Sequence, residues 1–296
     1  MAKTVGRTAI SNFDLKRPEV KAGYLACSIM AVVLAVFMIY PLIWTFMGAL
    51  KTPKEVYLIP PRLLPERANW ANFITAWKAF SFPRFTLNTF LLFAGIVLFK
   101  FPITCMAAYA FSFLRVPARR ALFLAFMVTL MVPGMAYMIP SYLILYRLPI
   151  FGLNLLNTYW AFWLPAGADA FAILLLKGYF DGIPGEMLEA ARIDGATEMI
   201  ILSRLVLPLA KPILATLFIL NFMGVWRDFM WPYIVLRDSS RWTIMIALYT
   251  YVFQSQILTP NIQLAGMMLA TIPPITIFLL FQRYILEGIT FAGIKG

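Results

Sequence analysis

Residues 186–212 read EMLEAARIDGATEMIILSRLVLPLAKP, and the way this stretch folds decides how the rest of the chain is understood. With the residue just upstream it holds Asp181, Glu186, Glu189, Asp194 and Glu198, five of the thirteen acidic residues in the 296-residue chain. Its spacing predicts two short helices. Pro184 suits a first helical turn, where its missing N–H costs nothing. Residues 186–194 are mostly good helix formers. Gly195 then ends the helix in the left-handed conformation that glycine adopts without a Cβ penalty. Thr197 is placed to cap the next helix through its hydroxyl, and Pro208 and Pro212 break or bend the chain beyond it. The first helix is charged on one side and small on another, at Ala190, Ala191 and Ala196. Small residues let another backbone approach closely, so this knob suits a socket on a soluble partner. Without a partner it is a solvated amphipathic loop.

Everything around it is apolar. The chain is 62% hydrophobic with a mean hydropathy of +0.81, against roughly 45–50% apolar residues in a soluble domain. A bilayer core needs about 20 apolar residues as helix. Six such spans follow: about 22–50, 85–114, 121–146, 158–176, 212–236 and 262–282. Residues 242–282 are uncharged and too long for one span, so 243–253 is expected to be an interfacial or re-entrant piece. A seventh span there is too short to cross. The first span is too long and lacks the small-residue cleavage site of a signal peptide, so it is expected to stay as a helix.

Charge sets the orientation. The N-terminal tail, 1–21, carries Lys3, Arg7, Lys16, Arg17 and Lys21, and the 115–120 loop carries Arg115, Arg119 and Arg120. Positive residues mark the cytoplasmic side, which puts both termini and the 181–208 segment there. The 51–84 loop falls outside, although it holds six basic and two acidic residues. The net charge of +12 is scattered among apolar spans rather than gathered into a basic stripe with stacking aromatics, so nucleic acid is not a partner. No histidine is present, which removes the commonest general base and metal ligand and argues against a membrane hydrolase, zinc peptidase or acyltransferase. Cys27 and Cys105 sit in apolar runs and suggest neither a disulfide framework nor a metal site.

Glu189-Ala190-Ala191, three residues, Gly195, nine residues, then Leu205-x-Leu207-Pro208 resembles the EAA motif of ABC importer permeases, with leucine at 205 where the pattern expects isoleucine. Asp194-Gly195-Ala196 and Pro212 extend the likeness toward the carbohydrate-importer branch, similar to its MalG-type subunit. Further landmarks are Asn88-Thr89, Ala107-Ala108-Tyr109-Ala110, the run from Asn157 to Ala161, and the final Gly-Ile-Lys-Gly. The resemblance implies an all-α integral membrane protein of the MetI-like fold, with six transmembrane helices and coupling helices at 181–208 between spans 4 and 5. It implies one of two paralogous permease subunits in an inner membrane, above a dimer of ATPase subunits and served by an extracytoplasmic solute-binding protein. Glu189, Ala190, Ala191, Asp194, Gly195, Ala196, Leu207 and Pro208 would couple to the ATPase. The cytoplasmic tail, 284–296, would reach between the ATPase subunits. The chain contains no Gly-x-x-x-x-Gly-Lys-Ser/Thr phosphate loop, so ATP and magnesium belong to the partner, and this chain binds no cofactor and is not an enzyme by itself.

Charges inside spans cost about 2.5–3.5 kcal/mol at the bilayer centre and are functional candidates. Lys100, Asp169, Arg227 and Asp228 are such residues, with Asn221 and Trp226 beside the last two on span 5. Each also has a structural reading. Lys100 can snorkel, Asp169 can cap backbone freed by Pro165, and Arg227 and Asp228 can neutralise each other. Related permeases commonly show a Trp-Asn-Asp-like run where this chain has Trp226-Arg227-Asp228. That departure, Lys100 and the basic outer loop suggest an acidic sugar such as a uronide. Neutral oligosaccharides and glycerol-phosphate-like solutes remain alternatives. Phe222, Trp226, Trp231 and Tyr233 are either sugar-stacking platforms or interface anchors. A secondary transporter working without ATP would leave the 186–208 motif without a role.

Overall fold

The computed structural model describes residues 18–149, 151–254 and 258–292, with side chains described up to residue 283. Most of the basic N-terminal tail and the final Gly-Ile-Lys-Gly lie outside the described residues. Among those described, the chain is helical with no strand. In chain order the helices are α1 (Pro18–Ala49), α2 (Pro53–Val56), α3 (Ala71–Ala79), α4 (Phe82–Phe113), α5 (Arg119–Thr129), α6 (Met138–Tyr146), α7 (Trp160–Trp163), α8 (Ala170–Phe180), α9 (Gly185–Ile193), α10 (Glu198–Ile201), α11 (Leu207–Leu209), α12 (Lys211–Arg227), α13 (Met230–Val235), α14 (Ile244–Tyr249) and α15 (Pro260–Ala292).

Four helical stretches are long and apolar enough to cross a bilayer unaided: α1, α4, the α7–α8 unit Trp160–Phe180, and α15. Two further apolar pairs are bent: α5 with Gly134–Tyr146 at 93°, and Glu198–Leu209 with α12 at 78°. Each bent pair counted once gives six crossings by length and composition. Alpha-helix suits this role because it satisfies its own backbone groups where no water can. Much of α1 is apolar and exposed, Phe37 at 78% and Met38 at 74%. Side chains of this kind on such a surface belong against lipid or another apolar partner, not water.

The breaks follow from the sequence. Pro133 lacks an N–H and Gly134 gains nothing from helix, so the 121–146 run does not fold as one straight span but turns between α5 and α6. The fourth crossing is interrupted by a 3-10 turn at Pro165–Gly167 and restarts at Asp169, whose Oδ1 accepts the Ala172 N–H at 2.9 Å. This is the backbone-capping reading of Asp169. The fifth crossing stops at Arg227 and resumes as α13.

The 243–253 piece packs inside the protein body and is too short to be a further crossing. Ile244, Ile246, Ala247, Leu248 and Val252 are all buried, and a π turn over Thr250–Gln254 extends α14. The Asn88-Thr89 pair accounts for its position. Asn88 Nδ2 donates to the carbonyls of Ser240 and Trp242, and buried Thr89 Oγ1 accepts the Ile244 N–H at 2.9 Å. Two side chains of α4 thus satisfy the turn and the first free N–H of α14.

The 51–84 segment is a folded cap and not an open loop. Thr52 and Glu55 form a capping box around α2. Buried Asn72 donates to the carbonyls of Ala49 and Lys51, both at 2.8 Å, closing the end of α1. Phe80 is fully buried against Gly266 of α15, where a Cβ would meet its ring at 2.5 Å.

Candidate functional site

The 181–208 segment folds around Gly195. Pro184 sits at the N-cap of α9, one position outside the helix, rather than in its first turn. At the other end the Gly195 N–H reaches the Arg192 carbonyl and the Ala196 N–H reaches the Ala191 carbonyl, both at 3.0 Å. With Gly195 at φ +83°, this is a Schellman ending, which explains the glycine and the small residues that flank it. Thr197 occupies the N-cap of α10, but its side chain makes no capping bond. The second helix runs on through a π turn at Leu202–Val206 into α11, so 198–209 is one element. Pro208 and Pro212 flank its 78° bend into α12.

This corner has two faces. Leu188 is buried, and Ala191, Ala196, Leu205 and Leu207 pack beside it on a core shared with α4, α8 and α12. Glu186, Glu189, Ala190 and Ile193 recur at helical spacing on the outer side of α9 and are exposed, Ile193 at 86%. Asp194 and Pro208 are exposed as well. The predicted residues therefore divide, with Glu189, Ala190, Asp194 and Pro208 presented outward and Ala191, Ala196 and Leu207 holding the corner to the body. Ile193 was not legible beforehand, since it falls in the unspecified part of the motif. Glu198 spans the corner. Its carboxylate takes Arg192 Nε at 2.8 Å and Nη2 at 3.2 Å, and also accepts the Tyr109 hydroxyl from α4. The Arg192 guanidinium, then the Tyr109 hydroxyl, hold this carboxyl below its ordinary pKa.

Inside the membrane, three of the six predicted pathway residues come together. Lys100 Nζ pairs with Asp169 and donates to Asn221 Oδ1, joining α4, the start of α8 and α12. Lys100 therefore does not snorkel to the surface. Trp226 is buried, with its Nε1 donating to the Ala270 carbonyl at 3.1 Å, and Phe222 is buried beside it. Both are core, not stacking platforms. Arg227 and Asp228 do not neutralise each other, as no ion pair joins them among the described residues. Arg227 is exposed, and Asp228 lines a cleft of about 430 Å³.

That cleft lies where the broken helices meet. Gly134 and Tyr137 come from the α5–α6 break, Pro165 from the α7–α8 break, and Asp228 and Trp231 from the α12–α13 break, with Ser141 added by α6. Irregular backbone at membrane depth is tolerated where it lines a cavity, and broken helices commonly carry transporter sites. The Pro133-Gly134 pair was the available signal for Tyr137 and Ser141.

These features define a polytopic membrane permease: bent helices around a cleft, and a compact charged corner outside the apolar spans. Residues 100–290 match the family described as "Binding-protein-dependent transport system inner membrane component". The sn-glycerol-3-phosphate transport system permease protein UgpE of Yersinia pestis bv. Antiqua (strain Antiqua) is 33% identical over 270 residues, covering 89% of this chain and 94% of that protein. The protein of the same name from Rhizobium meliloti (strain 1021) is 32% identical over 269 residues, covering 88% and 94%. Among solved structures, a bacterial ABC transporter involved in import of the acidic polysaccharide alginate superposes with a TM-score of 0.79 at 22% identity, covering 91% of this chain and 98% of that one. A bacterial alginate ABC transporter in complex with an alginate pentasaccharide-bound periplasmic protein gives 0.64 at 18% identity, covering 90% and 94%. The structural likenesses establish the fold. The chain belongs to the binding-protein-dependent inner membrane component family, and it is an ABC importer permease, not an enzyme. This assignment displaces the ATP-independent transporter as a reading.

Proposed function

We propose that this chain forms half of the pathway of an importer for a carbohydrate solute. A second, paralogous permease subunit supplies the other half, and an extracytoplasmic binding protein delivers the solute. A dimer of ATPase subunits, carrying the ATP and magnesium, docks on the outward face of α9 around Glu189, Ala190 and Ile193. The termini and the 181–208 segment face the cytoplasm, following the basic residues. The cleft at the three helix breaks carries the reading of the solute. Tyr137 and Trp231 offer aromatic surfaces to sugar rings, while Ser141 and Asp228 can exchange hydrogen bonds with hydroxyls.

The test is uptake by the reconstituted complex. Trp231→Ala and Asp228→Asn are expected to lower uptake about tenfold each, the scale of one lost polar or stacking contact. Wild-type uptake in both variants would overturn the reading. The alternative of an anionic solute is favoured by the glycerol-3-phosphate relatives and by Arg227, which precedes the cleft residue Asp228 in the chain and is exposed without an ion pair among the described residues. Lys100 no longer supports it, because Asp169 already offsets its charge. Selective loss of anionic uptake in Arg227→Ala, with neutral sugar unaffected, would favour this second reading.

A further inference from the structure

We propose that Tyr109 is a positioning residue for coupling, tying the 181–208 corner to α4 through Glu198 and so delivering its displacement to the cleft. The inference rests on the reading that α9 docks an ATPase subunit. The corner is covalently joined to α8 and α12, and its attachment to α4 is non-covalent. Part of that attachment is the apolar seat around Leu188. Apolar packing is non-directional, so this seat alone allows the corner to slip against α4. The Tyr109 hydroxyl removes that freedom. It donates to Glu198, which the Arg192 guanidinium holds by a two-pronged bond across the Gly195 turn. One carboxylate thereby joins both coupling helices to the α4 backbone.

Tyr109 is itself fixed. It is 3% exposed and its ring packs on Phe113 with centroids 5.3 Å apart. Nine residues back along α4, about 13.5 Å along the axis, Lys100 holds Asp169 at the α7–α8 break. Ile103 lies between them and fills the space over Gly167, where a Cβ would stand 2.4 Å from its Cδ1. A shift of the corner therefore reaches the Pro165–Gly167 turn, whose Pro165 lines the cleft.

The test uses the assembled importer in proteoliposomes, measuring solute transported per ATP hydrolysed, with subunit assembly checked by copurification. Tyr109→Phe keeps the ring and removes the donor. It is expected to assemble normally and to lower the transport-to-hydrolysis ratio about five- to tenfold, the scale of one net hydrogen bond. In a Glu198→Ala background the same substitution is expected to have no further effect. Additive losses would show that the Tyr109 hydroxyl acts through a group other than Glu198 and would overturn the inference, as would wild-type coupling in an assembled Tyr109→Phe complex. Failure of the docking reading would look different: Glu189→Arg would leave ATPase copurification and transport unchanged.

Discussion

Lys100, in the middle of α4, is ion-paired to Asp169 at the N-cap of α8, with side chains only 12% and 25% exposed. The same ammonium donates to Asn221 of α12, so one charge fastens three membrane segments. Asp169 uses its second oxygen to cap Ala172. Two costly intramembrane charges thus offset each other while closing a helix break.

Removing one partner should do more harm than removing both, because it strands the other charge. Lys100→Met and Asp169→Asn are each expected to cost about 1–3 kcal/mol, scaled down from a fully buried pair for the residual exposure. Asparagine retains the cap, so the Asp169 variant isolates the charge. The double variant should recover most of the loss in a thermal-unfolding measurement on the purified complex. Strictly additive losses would contradict the ion-pair account.

Much of this architecture was legible in advance, and the unread part has a consistent cause. Gly195 announced its left-handed turn, because few residues take that conformation cheaply. Hydrophobic runs located the long apolar helices α1, α4 and α15, because a run long enough for a bilayer folds as one helix unless proline or glycine breaks it. Lys100 and Asp169 were visible as isolated charges, yet their partnership joins residues 69 positions apart, and no local pattern encodes it. The Tyr109–Glu198 bond crosses 89 positions and was hidden for the same reason. Trp226 was ambiguous for another reason: an aromatic on a span looks the same whether it faces a cleft or the core. Asn88 and Thr89 stood out as landmarks, but only their contacts with residues 240–244 gave them a role.

Close approach of α4 to the fourth crossing depends on Gly95. A Cβ built there would lie 2.1 Å from the Trp163 ring, whose Nε1 donates to the Leu92 carbonyl at 3.0 Å. Gly95→Ala should therefore push Trp163 out of place and cost about 1–3 kcal/mol by overpacking, outweighing the gain in helix propensity of about 1 kcal/mol. Adding Trp163→Phe, which shortens the ring system, should restore part of the melting temperature. An unchanged melting temperature in Gly95→Ala would contradict the contact.

The 51–84 cap carries a pH response. Glu55 accepts the N–H groups of Thr52 and Glu66, both at 2.7 Å, and the bond to Glu66 is the largest influence lowering its pKa from the ordinary 4.5 to about 2. A depressed carboxyl stabilises the folded cap fully above its ordinary value. That contribution falls away as pH drops from about 4.5 toward about 2. Hydrogen exchange at the Thr52 and Glu66 amides, normalised to intrinsic rates, should lose protection across that window. Glu55→Gln should show weak protection with no pH step, and the same step in the variant would assign the effect elsewhere.

Gly195 sits at φ +83° with open space where a Cβ would project. Substitution there meets no neighbour, so its cost is that of the backbone alone. Alanine in the left-handed region is disfavoured by about 1–2 kcal/mol, and asparagine by less because it tolerates that region. Gly195→Ala should weaken the Schellman bonds at the Gly195 and Ala196 amides, raising their exchange rates about five- to thirtyfold, with Gly195→Asn in between. The protein should still reach the membrane, since Leu188 keeps its apolar seat. The same order, glycine above asparagine above alanine, should appear in transport if the corner's shape is what the ATPase grips. Equal protection in all three would mean the turn is held by its surroundings and not by the glycine.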